Sequence, residues 1–423
     1  MTQEASVPPG RRALQALNFF MADMQAGVGP FLAVFLLGHG WKSGWIGSVM
    51  TIGGGAGVLM TAPAGAWVDA SRRKRELAAI TGLCTVFASA MILISQSFWP
   101  VALSQVATAI AGAAIGPAVA GITLGMFGQR GFSRQNGINQ AYNHAGNAVG
   151  AGLSGLLGWK FGLPAVFWLA VAFAVVSIAS VLTIPRSSID DRVARGLSLR
   201  DSEKSVRKLG VLFRCKPLLV LAASLALFHL GNAAMLPLYG LAVVSAKHGN
   251  PAAFVAATIV VAQATMVLAS LLAMWMTEAR GLWVVMLISF IALPIRGLVA
   301  AYTIKSWGVF PVQILDGIGA GLQSVAVPGL VARILNGTGR VNVGQGAVMT
   351  VQGVGAALSP AIGGWLAQWH GYPFAFLTLG CFALGSVVIW VLFANTTRDA
   401  ARSPGGIDSH PALLVPDEKR YEL

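Results

Sequence analysis

The chain has 423 residues, of which 56% are hydrophobic and only 10% charged, whereas a soluble domain carries about a quarter charged residues. A water-soluble fold of this composition would lack the polar cover its exterior needs, so lipid is the solvent that fits. The net charge is +14, from 29 Lys and Arg against 15 Asp and Glu, but the basic residues are scattered through short loops. A nucleic-acid surface needs them gathered on one face with aromatics between, so that class is excluded.

A helix that crosses a bilayer needs about 20 largely apolar residues. The first such runs are Ala13–Leu37, Ile46–Val68, Leu77–Gln96, Pro100–Phe127, Gly137–Leu157 and Leu163–Ile184. Arg11 and Arg12 precede a stretch too long for a signal-peptide core, so it reads as an uncleaved first helix. The polar stretch Pro185–Pro217, rich in Arg, Ser and Asp, then interrupts the pattern. The second set is Leu218–Val244, Ala252–Met276, Leu282–Thr303, Gly308–Leu330, Gln345–Gln368 and Pro373–Phe393.

The expected organisation is therefore an all-α polytopic membrane protein with twelve transmembrane helices in two six-helix bundles. The bundles are residues 1–184 and 218–394. Residues 185–217 form a linker lying on the cytoplasmic leaflet, and residues 395–423 a disordered tail.

Loop charge sets the orientation. Lys42, Lys160, Lys247 and Lys305 are the basic residues of one set of loops, and Arg296 lies within a span. All other Lys and Arg fall on the opposite side, with both termini. By the positive-inside rule that side is cytoplasmic, which suits a bacterial inner membrane. Cys84, Cys215 and Cys381 form no C-x-x-C pair, so neither a zinc site nor a disulfide framework is expected.

The halves carry a faint repeat. Leu153-Ser154-Gly155 in the fifth span matches Leu358-Ser359-Pro360 in the eleventh. Gln25 stands five residues before Pro30 in the first span, and Asn232 five before Pro237 in the seventh. Tandem six-helix repeats are an established transporter architecture.

After the second span the chain reads Gly65-Ala66-Trp67-Val68-Asp69-Ala70-Ser71-Arg72-Arg73-Lys74. This resembles the loop signature between helices two and three of the major facilitator superfamily, G-x-L-a-D-r-x-G-R-[RK]. Gly65, Asp69, Arg73 and Lys74 match it. Trp67, Ala70 and Arg72 depart from it, standing where Leu, a basic residue and Gly are usual. The resemblance implies a cytoplasmic gate at Gly65, Asp69, Arg72, Arg73 and Lys74. There Gly65 allows close helix packing, Asp69 accepts from a helix N-terminus of the other half, and Arg73 pairs with a carboxylate. It also implies that helices one, four, seven and ten surround a central cavity, with three, six, nine and twelve outside. The glycines of the second, fifth and eleventh spans read as packing surfaces.

A charge at mid-bilayer normally faces a partner or a wet cavity. Asp23 lies about 15 Å into the first span, at 1.5 Å per residue, and is the candidate proton carrier. His229 and Asn232 share a face of the seventh span, and a histidine titrates near neutral pH. Gln313 and Asp316 share a face of the tenth. An Asp316–Arg296 ion pair competes with a ligand role for Asp316, because an Arg on a peripheral helix needs a partner. Gln25, Asn143 and His144, with Asn139, Gln140 and Asn147, add hydrogen-bonding groups suited to a polar solute.

There is no P-loop, H-E-x-x-H, G-x-S-x-G or Cys/His cluster, so neither ATP drive, an enzyme, a metal nor a cofactor is expected. The sequence reading is secondary transport of a small polar or amphiphilic solute by alternating access, coupled to protons, by a monomer in the lipid bilayer. Its direction is open. The competing reading is a non-transporting membrane sensor or assembly partner on the same fold.

Overall fold

A computed structural model describes residues 8–26, 28–191, 193–195, 214–246, 250–335 and 341–402; the side chains of Asp23, Gln25 and Asp69 lie outside this set. Among the described residues the chain is a succession of helices without strands. The first six are α1 (Arg11–Ala26), α2 (Val28–Gly38), α3 (Ser43–Ala70), α4 (Lys74–Ile94), α5 (Phe98–Phe161) and α6 (Pro164–Thr183). Short 3-10 turns follow at Arg186–Ser188 and Val193–Arg195. Then come α7 (Lys216–Asn232), α8 (Met235–Ser245), α9 (Pro251–Ala279), α10 (Leu282–Tyr302), α11 (Val309–Ile334), α12 (Val341–His370), α13 (Tyr372–Leu392) and α14 (Ala394–Arg402).

Ten helices among the described residues are long and apolar enough to cross a membrane. The difference from the twelve expected spans has two sources. In the first expected span residue 27 lies outside the described residues, so α1 and α2 are counted apart, each shorter than a bilayer crossing. The fourth and fifth run together as the arms of α5, and only Phe98–Gly128 qualifies by length and hydropathy. Asn, Gln and Gly make the second arm too polar. The arms meet at Gly128, whose φ of +64° lies in the left-handed region that a side chain would disfavour.

Two compact units result: Met1–Ser202 with Val243–Val260, and Glu203–Ala242 with Val261–Leu423. In the first, Leu14, Leu17, Val68, Leu77, Ile122 and Val181 bring α1, α3, α4, α5 and α6 to one buried core. In the second, an aromatic column fills the interior. Trp283 stacks on Trp390 at 6.2 Å between centroids, and Phe290 meets Trp390 at 5.5 Å and Phe228 at 5.9 Å. Large apolar side chains such as Leu83, Phe87, Leu268 and Trp275 stay exposed. They suit a surface bathed in hydrocarbon, where helices satisfy their own backbone groups.

Glycine lines the closest helix contacts. A Cβ on Gly146 of α5 would lie 2.0 Å from the Phe19 carbonyl oxygen of α1, and one on Gly355 of α12 would lie 2.1 Å from that of Ala226 of α7. The helices at these points touch backbone to side-chain-free backbone, the small-residue packing of membrane bundles. Gly65 departs from expectation. A Cβ there would meet nothing within 4 Å, because this end of α3 is flanked by the exposed Ala66 and Trp67.

The start of the expected tail is helical. Thr397 of α14 accepts the Trp283 indole N–H at 2.9 Å, and the Arg398 guanidinium lies 3.9 Å from the Trp283 ring centroid. One hydroxyl and one cation–π contact thus anchor a segment whose composition alone reads as unstructured. Residues 403–423, and 196–213 of the linker, lie outside the described set.

Candidate functional site

The second unit buries a charge. Arg296 sits in α10 between apolar neighbours and is fully shielded from solvent. Its Nη1 donates to Asp316 Oδ1 of α11 at 2.9 Å and to Asn232 Oδ1, at the last residue of α7, at 2.5 Å. Its Nη2 donates to Gln313 Oε1 at 3.3 Å. Three helices therefore converge on one guanidinium. Gln313 and Asp316 reach it together because residues three apart share a helix face.

Burying an ion pair costs desolvation that attraction repays only when hydrogen bonds complete the arrangement. Asn232 and Gln313 supply that completion. From the sequence they stand as solute ligands, whereas in the structure their carbonyl oxygens face Arg296. The cluster is not closed. Asp316 keeps 14% of its side chain exposed, and Arg296 Nε and Gln313 Nε2 have no partner among the described residues.

A second polar group lies beside it. His229 of α7 hydrogen-bonds Gln323 of α11 and lies within electrostatic range of Asp316. Gln323 Nε2 also donates to Ser289 Oγ at 3.0 Å, and that hydroxyl donates to the Gly319 carbonyl at 2.9 Å. Ser289 carries no charge, so the sequence gives no sign that it joins His229 to a network.

In the first unit the polar face of α5 is built from amides. Asn139 Nδ2 donates to Thr123 Oγ1 at 3.0 Å and Gln135 Nε2 to Asn139 Oδ1 at 2.9 Å. Asn143 Nδ2 reaches the Asn18 carbonyl of α1 at 3.5 Å, and Asn147 Nδ2 reaches Asn143 Oδ1 at 3.4 Å. His144 Nδ1 and Asn147 Oδ1 are buried atoms without a partner among the described residues. An unmet buried polar atom calls for water or a ligand. Between α3, α4 and α5 the same unit holds an uncharged cleft of about 450 Å³, lined by Gly53, Gly54, Thr81, Thr85, Gln105 and Thr108 among others. Of these, Gly53 and Gly54 are among the second-span glycines read from the sequence as packing surfaces.

At the foot of this unit, Lys74 is buried and its ammonium donates to the carbonyls of Val68 and Ser71 at 3.0 and 2.9 Å. It caps the end of α3, where helix carbonyls lack internal partners. Arg72 and Arg73 are exposed, and the carboxylate expected beside Arg73 is absent among the described residues. Asp23, Gln25 and Asp69 lie outside the described side chains.

A family model described as Major Facilitator Superfamily matches residues 14–293 and 221–420. The chain belongs to the major facilitator superfamily. Curated relatives in the superfamily include MFS-type transporters of Mycobacterium tuberculosis, strains CDC 1551 / Oshkosh and ATCC 25618 / H37Rv. Each is 36% identical over 399 residues, spanning 93% of this chain and 96% of the relative. Solved superfamily-like folds agree. The nucleoside transporter NupG superposes with a TM-score of 0.73 at 16% identity, covering 92% of this chain and 98% of NupG. A variant of the peptide transporter POT gives 0.75 at 13% identity, covering 93% and 96%. A bacterial homologue of the human lysosomal transporter Spinster gives 0.64 at 16%, covering 93% and 97%. At such identities the likeness concerns the fold. The protein is a multi-pass membrane transporter of this superfamily, and its cargo is a small-molecule solute.

Proposed function

We propose that this chain moves a small polar or amphiphilic solute across the membrane by alternating access, coupled to protons, with Asp23 and the Asp316–His229 group as the ionisable parts of the pathway. The observation that carries the reading is the buried Arg296 whose partner carboxylate, Asp316, keeps a solvent-facing edge. A proton added to Asp316 would cancel the charge that offsets Arg296. The guanidinium would be left with the Asn232 and Gln313 oxygens alone, an arrangement of different energy. A site whose polar contacts differ between protonation states is what couples a proton to a conformational equilibrium. His229 lies within electrostatic range of Asp316, which supports its inclusion in the pathway.

Solute contact falls to groups with unmet hydrogen-bonding capacity: His144 and Asn147 beside Asn143 in the first unit, Gln313 in the second. The amides among these groups carry no charge, which favours a polar solute over a strongly anionic one. The chain would act as a monomer and without a cofactor.

The test is proton flux in everted membrane vesicles challenged with a panel of polar metabolites and toxic amphiphiles. A compound that drives flux in the native protein, and not in the folded Asp23→Asn or Asp316→Asn variants, supports the reading. Normal flux in Asp23→Asn removes that residue from the pathway. Binding of a panel compound without any flux would favour a sensor on a transporter fold.

A further inference from the structure

The short loop after α3 meets the segment after α6 in a notch of about 210 Å³. Arg72, Arg73, Lys74 and Arg75 come from the loop and the start of α4, and Arg186 from the segment after α6; the acidic members are Glu76 and Asp191. Basic groups therefore outnumber acidic ones, and most are already committed. Glu76 is paired with Arg186. Arg75 donates to the carbonyls of Val181 and Leu182 at 3.3 and 2.5 Å, closing the end of α6. Lys74 caps α3, and Asp191 is engaged within the protein. Arg72 and Arg73 remain, both exposed, with no side-chain partner among the described residues.

The notch is built rather than incidental. A Cβ on Gly121 of α5 would lie 2.6 Å from Lys74 Cε, so a side chain there would have to displace the buried lysine stem. At Gly125, one turn on, a Cβ would lie 2.8 Å from Ile189 Cγ2, and the Asp190 amide donates to the Gly125 carbonyl at 3.1 Å. The segment carrying Arg186 and Asp191 is thus seated flush on α5 by two glycines. Its depth is marked independently. Trp67, on the last turn of α3, is 57% exposed, and exposed tryptophans at span ends sit at headgroup level.

We propose that this notch binds the phosphodiester headgroup of an anionic phospholipid in the leaflet at this face, with Arg72 and Arg73 as its direct ligands. Guanidinium forks match phosphate oxygens in pairs. A lipid is favoured over free phosphate because the notch opens at the depth where headgroups are concentrated.

The experiment titrates phosphatidylglycerol into the full-length protein in neutral detergent and reads the thermal unfolding midpoint. Phosphatidylcholine and inorganic phosphate serve as parallel titrants. Phosphatidylglycerol should raise the midpoint in a saturable way, and neither of the others should. In Arg72→Ala/Arg73→Ala its apparent affinity should fall about twenty-fivefold, two basic contacts each contributing about fivefold. Arg280→Ala, which removes an exposed basic residue of the second unit, should leave affinity unchanged. Arg72→Lys/Arg73→Lys should fall between, since charge remains and the fork is lost. Equal protection by phosphatidylcholine, an undiminished response in the double alanine variant, or an equal loss in Arg280→Ala would overturn the proposal. Equal protection by inorganic phosphate would overturn the assignment to lipid.

Discussion

The two units share a way of packing and differ in what they bury. In each, a glycine of a late helix meets a backbone carbonyl of the unit's first helix: Gly146 on Phe19, Gly355 on Ala226. In each, a Gly-x-Pro turn opens the last long helix, with Gly162 at φ +84° and Gly371 at φ +88°. The polar interiors diverge. The described side chains of the first unit form an amide ladder along α5, from Gln135 to Asn147, whereas the second centres on the Arg296–Asp316 pair. Backbone contacts have been repeated while the chemistry inside them has not. The described units repeat a packing scheme, and the buried ion pair belongs to one of them.

The largest break in that comparison should come from the charge. Asp316→Ala leaves a fully buried guanidinium without its counter-charge and should destabilise the protein by about 3–5 kcal/mol. Arg296→Met/Asp316→Leu removes the charge with the pair and should recover most of that loss. Asn139→Ala, its counterpart in the amide ladder, should cost about 1–2 kcal/mol, the loss of neutral hydrogen bonds. Thermal unfolding in detergent checks all three. If the double variant is as unstable as Asp316→Ala, the two side chains are not energetically coupled.

The shared contacts should respond alike. Gly146→Val and Gly355→Val each drive a side chain into a carbonyl oxygen about 2 Å away. That neighbour is backbone and cannot rotate aside. Each variant should lose about 1–3 kcal/mol, the usual cost of overpacking. A large loss in one unit and none in the other would show that the repeat is geometric only. The same unfolding measurement decides it.

Much of this architecture can be read from the chain. Apolar length gives the spans, and the Gly65–Lys74 motif gives the superfamily. Arg296 and Asp316 stand out as charges inside apolar runs. What hides is anything set by three-dimensional proximity. Asn232 looks like a solute ligand, and Gln313 like a wholly open one, because an amide in a membrane helix has no visible partner until α7, α10 and α11 are brought together. Gly65 looks like a packing glycine, yet the end of α3 leaves it uncovered. Lys74 reads as one more basic residue, and only the space left by Gly121 makes it a buried cap. The helical start of the tail depends on Trp283, over 100 residues earlier.

The smallest expected effect tests the finest level of the repeat. α7 ends at Asn232 and α8 begins at Met235, so the amides between them cannot all find helical partners. The Ala234 amide donates to Ser359 Oγ of α12 at 2.9 Å, and Ser359 is fully buried. Ser359→Ala should therefore strand a buried N–H and cost about 1–3 kcal/mol. Ser154 occupies the matching place in α5, equally buried, but its hydroxyl has no partner among the described residues. Ser154→Ala removes an unpaired polar atom and should change stability by less than about 0.5 kcal/mol. A loss at Ser154 equal to that at Ser359 would mean that its hydroxyl also satisfies a buried polar group, extending the repeat from packing to hydrogen bonding. The unequal result expected here would confine the cap to the unit that also holds the ion pair, where Asn232, the last residue of α7, must be held in place against Arg296.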